Sequence, residues 1–377
     1  MFIPRILEKK LISQLKTSER GIVIFGPRQI GKTTLAKSII AKLHLKTLEV
    51  DGDTSQYSDV LSSQDLSKLK ATVAGYELLF IDEAQKIDRI GINIKLLRDH
   101  IPGLKIIATG SSSLDLASSV KESLVGRVWN YILYPISFLE LKSLYNRYEL
   151  GTNLEAQLRF GSYPNIFSLE SDQIKRGYLE QVSDAYLYKD ILELSGIKNS
   201  RKIRDLLKLL AFQIGSQVSL TEVGNQLDMS KDTVSRYIDL LEESFVLFRL
   251  SGFSRNLRKE VRKMDKIYFY DLGIRNAIIG NFNYLKDRND GGVLWENFLM
   301  IERIKFLSYT GKSTSRYFWR THTGAELDLI EEREGKLSGF EFKFNSKKPK
   351  VPKTWLETYS NATFKFVNLD NFLDFIT

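Results

Sequence analysis

The sequence predicts a multidomain α/β protein, and three regions of the chain carry that prediction. Near the N-terminus, a short apolar run leads into a glycine-rich loop and then into a helical pattern. The middle of the chain has helical periodicity, and the last third alternates apolar and charged residues as strands do. A chain of 377 residues is long enough for two or three domains.

The composition is that of a globular protein and excludes several kinds of site. Hydrophobic residues make up 43% of the chain and charged residues 27%. No apolar run approaches the roughly 20 residues of a membrane span, so we expect no membrane partner. Charges spread through "MFIPRILEKKLISQL" predict an amphipathic helix instead of a secretion signal, and we expect a cytoplasmic protein. With no cysteine and three histidines, disulfides and thiolate metal sites are excluded and a histidine zinc site is disfavoured.

The glycine-rich loop gives the strongest prediction in the chain. Residues 22–25 predict a buried strand, and a helical pattern starts at Thr33. Between them, residues 26–33 match G-x-x-x-x-G-K-[ST], in which backbone N–H groups and a helix N-terminus bind phosphate. Lys32 would reach the β- and γ-phosphates of ATP, and Thr33 would ligate Mg²⁺. The predicted nucleotide-binding residues of this loop are Gly26, Pro27, Arg28, Gln29, Ile30, Gly31, Lys32, Thr33 and Thr34.

Two further strand ends carry polar residues that suit an ATPase. The apolar run at 78–81 ends in Asp82, which would hold the Mg²⁺ shell, and Glu83, which would polarise the attacking water. The strand in "LKIIATGSSS" ends in hydroxyl residues, of which Thr109, Ser111 and Ser112 are candidates for sensing the γ-phosphate. Because hydroxyls at this position also cap helices, the choice stays open, with Ser111 included in the nucleotide site.

Arg127 follows a glycine in "LVGRVWNY" and has two interpretations. It is either an arginine finger or sensor of the ATPase, or a surface arginine after a turn. A finger acting on a second copy would require an oligomer, whereas a sensor would act within one chain.

Four motifs in a fixed order resemble the AAA-type P-loop ATPases: "GPRQIGKTTL", "LLFIDEAQ", "TGSSS" and "GR…YPISFLEL". More closely, they resemble a prokaryotic family of uncharacterised ATP-binding proteins with a second region of unknown function. The resemblance implies a P-loop NTPase core with a parallel sheet, a helical lid, a winged helix-turn-helix and a restriction-endonuclease-like α/β domain. The corresponding ranges are 1–150, 151–205, 206–288 and 289–377.

The middle segment contains a helix-turn-helix pattern, and the sequence favours neither binding nor absence of binding to DNA. Two helical faces flank a turn at residues 228–230, where Ser230 can cap the second helix. Lys231 and Arg236 on that helix are balanced by two aspartates, which argues against strong phosphate attraction. The segment between the two following strands is basic and would either contact DNA phosphates or form a solvated hairpin. Its basic residues are Arg255, Arg258, Lys259, Arg262, Lys263 and Lys266.

A hairpin near the C-terminus brings carboxylates onto one face. A two-residue turn at 334–335 places Asp328 opposite Glu341, and Glu326 opposite Lys343. A surface cross-strand pair explains Glu326 with Lys343, but like charges directly opposed destabilise a sheet unless a cation lies between them. Two carboxylates suit Mg²⁺ or Mn²⁺.

Asp328 followed by Glu341-x-Lys343 resembles the PD-(D/E)xK nuclease signature. The resemblance implies that the acids hold the metal, that Lys343 orients or activates water, and that Glu296 on the preceding helix completes the site. A polar hairpin face is the alternative. We therefore expect an ATP-driven DNA-processing enzyme. The other hypothesis is a nucleotide-dependent switch that binds a protein or nucleic acid without cutting it.

Overall fold

The computed structural model describes residues 3–111, 124–195, 200–254, 264–321, 324–344 and 353–377, with backbone alone at 185–195 and 200. The chain separates into two compact units. One comprises residues 2–135 with 243–245, and the other comprises residue 1 with 136–242 and 246–377.

The first unit is built on a five-stranded parallel sheet, so the predicted α/β core with a parallel sheet is confirmed. Its strand order is β2-β3-β4-β1-β5. The three central strands β1, β3 and β4 are apolar runs that are almost entirely buried, and all five residues of β1 are buried. The strands are β1 Gly21–Phe25, β2 Thr47–Asp51, β3 Leu78–Asp82, β4 Lys105–Gly110 and β5 Val128–Ile132. The helices are α1 Leu7–Thr17, α2 Lys32–Leu43, α3 Ser58–Leu61, α4 Leu66–Val73 and α5 Ile90–His100.

The second unit begins with helices, as the periodicity predicts. These are α6 Phe138–Leu141, α7 Arg147–Thr152, α8 Leu154–Phe160, α9 Asp172–Ser195, α10 Ser200–Phe212, α11 Leu220–Leu227 and α12 Lys231–Glu243. The turn between α11 and α12 matches its prediction, since the backbone N–H of Thr233 donates to Ser230 Oγ at 3.1 Å. The inward face of α12 is formed by Val234, Ile238 and Leu241, which are all buried.

Two strands and two helices connect this region to the C-terminal sheet. Strands β6 Leu247–Leu250 and β7 Lys266–Phe269 pair antiparallel. They are followed by α13 Leu272–Ile279 and the long helix α14 Gly291–Tyr309, whose fully buried Trp295 stacks against Phe298. The basic residues at 255–263 lie outside the described residues. Lys266 is described and is buried, so its predicted contribution to a phosphate-binding surface is wrong.

The C-terminal sheet has four strands in the order β11-β10-β9-β8. They are β8 Ser315–Arg320, β9 Glu326–Arg333, β10 Lys336–Phe342 and β11 Ala362–Val367, accompanied by α15 Lys353–Thr358 and α16 Phe372–Ile376. Phe340 and Phe342 on one face of β10 both pack against Phe375. Across the described ranges, no helix combines the length and the apolar character that crossing a membrane requires.

The β9–β10 hairpin has the predicted turn and register. Glu334 and Gly335 both have positive φ, at 51° and 74°, as a two-residue type I′ turn requires. Pairing runs from Arg333 with Lys336 to Leu329 with Phe340. Asp328 and Glu341 are therefore the next residues on the two strands.

Beyond that point the regular ladder ends. The pairing of β9 with β8 shifts by one residue between Tyr317 and Trp319, which marks a β-bulge next to Asp328. Glu326, on the far side of the bulge, pairs with Lys266 at 2.7 Å. The predicted pair of Glu326 with Lys343 is wrong for this reason, and Lys343 pairs with Glu341 at 2.6 Å.

Candidate functional site

The glycine-rich loop lies at the carboxyl end of β1, where the parallel strands present their ends to a ligand. Gly26 has φ 144°, and a Cβ built there would stand 2.2 Å from the carbonyl oxygen of Leu133, so no larger residue fits. Gly31 has φ 91° at the start of α2. The backbone thus follows a path that only glycines allow, and it places the first turn of a helix beside the loop.

Lys32 lies across this loop. Its side chain is only 5% exposed, and Nζ donates to the carbonyl oxygens of Gly26 at 2.9 Å and Pro27 at 2.8 Å. Both of these acceptors are neutral carbonyl oxygens of the loop itself. A buried cation held in this way suits an anionic ligand such as a phosphate chain.

Thr33 and Asp82 come together from separate elements of the first unit. Thr33 Oγ1 donates to Asp82 at 2.8 Å and 3.1 Å, and Thr109 Oγ1 also donates to that carboxylate. A hydroxyl and a carboxylate are hard oxygen ligands, so this pair fits Mg²⁺. The predicted magnesium residues are therefore in contact with one another.

Glu83 directly follows Asp82 at the end of β3 and has left-handed backbone angles, φ 46° and ψ 44°. Its N–H donates to Thr109 Oγ1 at 3.2 Å, so Thr109 contacts both acidic residues. The amide of Gln85 donates to the Glu83 carboxylate and, at 3.0 Å, to Ser111 Oγ. Thr109 and Ser111 thus have different partners, while Ser112 lies outside the described residues.

Arg127 is placed away from the phosphate loop of its own chain. It precedes Val128, which pairs with Gly21 at the amino end of β1, whereas the loop follows the carboxyl end. Its guanidinium makes two hydrogen bonds to Asp99, at 2.7 Å and 2.9 Å. This location, with the side chain 34% exposed, matches the interpretation of a surface arginine after a turn.

A second cluster of charged residues lies in the other unit, around the end of the β9–β10 hairpin. The Asp328 carboxylate accepts a hydrogen bond of 2.7 Å from the backbone N–H of Phe342, one residue past Glu341. Glu341 is 15% exposed, and its Oε2 is buried without a hydrogen-bond partner among the described residues. Asp328 and Glu341 thus lie at the same end of the hairpin, with Lys343 on Glu341 Oε1.

Lys266 on β7 joins this cluster from another strand. Its side chain is 4% exposed and contacts Glu326 at 2.7 Å and Glu296 at 3.3 Å. The fully buried Tyr268 donates its hydroxyl hydrogen to Glu296 at 2.6 Å. Glu296 therefore already has two protein partners.

The titration behaviour of the cluster follows from burial and like charge. Burial raises the pKa of Asp328 well above its ordinary range, and the charges of Glu296 and Glu341 raise it further. Burial alone would lower the pKa of Lys266, but the surrounding carboxylates, Glu296 first, outweigh it and raise the pKa. Burial raises the pKa of the Tyr268 hydroxyl well above its usual value. In the described ranges, no three acidic or histidine side chains form a metal-ligand group.

Sequence reasoning missed Lys266, Tyr268 and Gln85. Lys266 and Tyr268 belong to the strand "KIYFY", where a lysine among buried residues signals a partner of opposite charge. Gln85 follows the acidic pair in "DEAQ" and gave no signal of its own. The contacts of Lys266 and Tyr268 join segments that are distant in sequence, and those of Gln85 arise where the chain folds back on itself.

Three segments of the chain match sequence models of domain families. Residues 18–142 match the AAA domain. Residues 151–284 match a domain of unknown function (DUF8612), and residues 291–369 match a second one (DUF4143). The AAA match covers the phosphate loop, Asp82 and Glu83, so the segment that contains the candidate nucleotide site is similar to AAA domains.

Two of the relatives that the chain matches are uncharacterized proteins. One from Mycobacterium tuberculosis is 29% identical over 331 residues, covering 86% of this chain and 70% of that protein. One from Methanocaldococcus jannaschii is 26% identical over 332 residues, covering 81% and 73%. Among solved structures, the Thermotoga maritima RuvB Holliday junction branch migration motor is similar with a TM-score of 0.34 and 19% identity, covering 66% of this chain and 90% of that chain. A TM-score this low supports no conclusion about this chain.

Proposed function

We propose that the AAA-type P-loop domain of this chain binds ATP with Mg²⁺ and hydrolyses it. The observation that carries the proposal is the contact of Thr33 with Asp82 beside the buried ammonium of Lys32. When bound, Mg²⁺ supplies positive charge to the phosphate oxygens, and Thr33 and Asp82 are the residues that would hold it.

The remaining roles belong to residues around the loop. Lys32 and the backbone N–H groups of the loop 26–33 bind the triphosphate. Glu83 accepts a proton from the attacking water. Ser111 directly follows β4, and its hydroxyl is connected to the site because it accepts a hydrogen bond from Gln85.

Phosphate release from ATP tests this proposal. Lys32→Ala should lower turnover by about a hundredfold or more, because the main cation of the phosphate site is lost. Lys37→Ala is the matched control, since Lys37 lies on the same helix with its side chain 60% exposed and should leave turnover unchanged. Equal turnover in wild type and Lys32→Ala would refute the ATPase site.

We propose as a second function that the region containing the C-terminal sheet, β8 to β11, cleaves DNA with Mg²⁺ or Mn²⁺. The observation favouring it is the buried Oε2 of Glu341, which has no hydrogen-bond partner among the described residues and lies at the hairpin end that also carries Asp328. Asp328 and Glu341 would hold the ion, which would supply positive charge at a phosphate, and Lys343 would orient water. Glu296 completes the set in this proposal, although its contacts with Lys266 and Tyr268 would have to rearrange.

DNA scission with added Mn²⁺ distinguishes this second function from its alternative. Glu341→Gln should abolish cleavage, whereas Glu334→Gln in the exposed turn should not. Absence of cleavage in the wild type, or cleavage that persists in Glu341→Gln, would favour a nucleotide-dependent switch that binds protein or nucleic acid without cutting.

The helix-turn-helix and strands β6 and β7 suit a winged helix that contacts DNA, and this remains part of the proposal. Arg127 would act as a finger only in an oligomer. Turnover per chain that rises with protein concentration in the wild type, and stays flat in Arg127→Ala, would support that role. Turnover that is independent of concentration in both proteins would exclude it.

A further inference from the structure

Gln85 connects the two groups that the proposed ATPase reaction requires at the γ-phosphate. It lies in the short 3₁₀ turn Ala84–Lys86 directly after Glu83. Its Nε2 contacts both the Glu83 carboxylate and Ser111 Oγ, the latter at 3.0 Å. One amide therefore joins the end of β3 to the end of β4.

The orientation of this amide follows from the chemistry of its neighbours. An ionised carboxylate can only accept hydrogen bonds, so the NH₂ group of Gln85 must face Glu83. The Ser111 hydroxyl can accept as well, and both contacts are satisfied by one orientation of the amide. The amide oxygen is then buried without a hydrogen-bond donor among the described residues.

The lack of a donor for this oxygen in the part of the chain that the structure describes argues against a purely structural role. A buried acceptor without a donor costs stability, and folded proteins leave few of them. The arrangement that satisfies Glu83 is thus kept at the expense of the glutamine's own oxygen. Buried polar groups left in this state are typical of sites where another group, such as a reacting water, supplies the donor.

We propose that Gln85 is a positioning residue, which holds the Glu83 carboxylate in its reactive orientation and links it to Ser111. This inference rests on the proposed ATPase function. Gln85 does not accept the proton itself. Because Ser111 shares the same amide, a change at the end of β4 is transmitted to Glu83 through a single side chain.

Steady-state ATP hydrolysis by the full chain tests this inference with five variants, one of which is the single substitution Ser111→Ala. Gln85→Met keeps the length of the side chain but removes the donor, and should lower kcat about tenfold while changing KM for ATP less than about twofold. The kcat of Gln85→Glu should fall at least as far, because the new carboxylate repels that of Glu83. Adding Ser111→Ala to Gln85→Met should lower kcat no further, since both changes remove one connection. Gln56→Met, at an exposed glutamine of the same unit, should behave as wild type.

The Lys32→Ala variant separates this inference from the ATPase itself. Loss of turnover in Lys32→Ala together with unchanged kcat in Gln85→Met would overturn the role of Gln85 and leave the ATPase standing. A rise in KM that accounts for the whole effect would also overturn it, because it would show a defect in ATP binding. Independent, multiplicative losses from Gln85→Met and Ser111→Ala would refute the shared connection.

Discussion

The two candidate sites each bury a lysine, and the two lysines contact different kinds of acceptor. Lys32 donates to two neutral carbonyl oxygens of its own loop. Lys266 contacts two carboxylates, Glu296 and Glu326. Lys32 thus lies against the backbone of the phosphate loop, whereas Lys266 lies against two acids of the protein.

The carboxylates of the two sites differ in the same sense. Asp82 receives hydroxyl hydrogen bonds from Thr33 and Thr109. Asp328 has Glu296 and Glu341 nearby, and their charges add to burial in raising its pKa. The first site thus stabilises its carboxylate with neutral donors, and the second holds acids against one another with lysines between them. We infer from this difference that the stability of the region around the C-terminal sheet depends on the balance between these lysines and carboxylates.

Removing the lysine of the second site should have the largest effect on stability. Lys266→Met removes the ammonium that the partly buried Glu296 and Glu326 both contact, and should lower the free energy of unfolding by about 3 kcal/mol. Urea unfolding measures this change. Lys336→Met, at an exposed lysine of β10, should change it by less than about 0.5 kcal/mol. A similar small change in Lys266→Met would show that the cluster does not need its lysine.

A second buried acid separates the effect of burial from that of like charge. Asp271 caps α13, and burial raises its pKa to about 6, with backbone donors such as the Ser162 N–H opposing the shift. Because the pKa is higher in the folded state, protonation favours folding, and this stability is lost as pH rises from about 4 to above 6. The loss is about 3 kcal/mol for a shift of about two pKa units.

Asp271→Asn should remove that part of the pH dependence. Urea unfolding of the wild type and of Asp271→Asn at pH 4 and pH 7 measures it. The difference between the two pH values should be smaller in the variant by about 3 kcal/mol. The same pH dependence in both proteins would show that Asp271 does not titrate in this range.

The first site should be the more sensitive to backbone shape. In Gly26→Ala the new Cβ would collide with the carbonyl oxygen of Leu133, so ATP binding should weaken about a hundredfold, or roughly 2.7 kcal/mol. Gly103→Ala is the matched control, because Gly103 also has positive φ, at 83°, but has open space around it. Calorimetric titration with a non-hydrolysable ATP analogue measures both variants. Equal affinities in the two variants would show that loop shape is not limiting.

The sequence predicts the first site more fully than the second because of how each is assembled. Loop residues 26–33 and the acidic pair Asp82–Glu83 lie within contiguous motifs, and each strand and helix carries its own signal. In the hairpin, turn chemistry was sufficient to predict the register up to Leu329 with Phe340. The position of Lys266 beside Glu326 was not predictable, because it depends on a bulge and on packing between distant segments. The motif of Arg127 left two interpretations open for a related reason, because it does not show which end of the sheet the residue occupies.

The most direct test of the central claim is Mg²⁺-dependent phosphate release by Glu83→Gln beside the wild type, with ATP affinity measured on the same samples. We expect the variant to bind ATP as the wild type does. It should lose at least about 99% of its turnover, because the residue that accepts a proton from the attacking water is gone. Turnover in Glu83→Gln equal to that of the wild type, or turnover in the wild type that persists after Mg²⁺ is chelated, would contradict a magnesium-dependent ATPase built on Lys32, Thr33, Asp82 and Glu83.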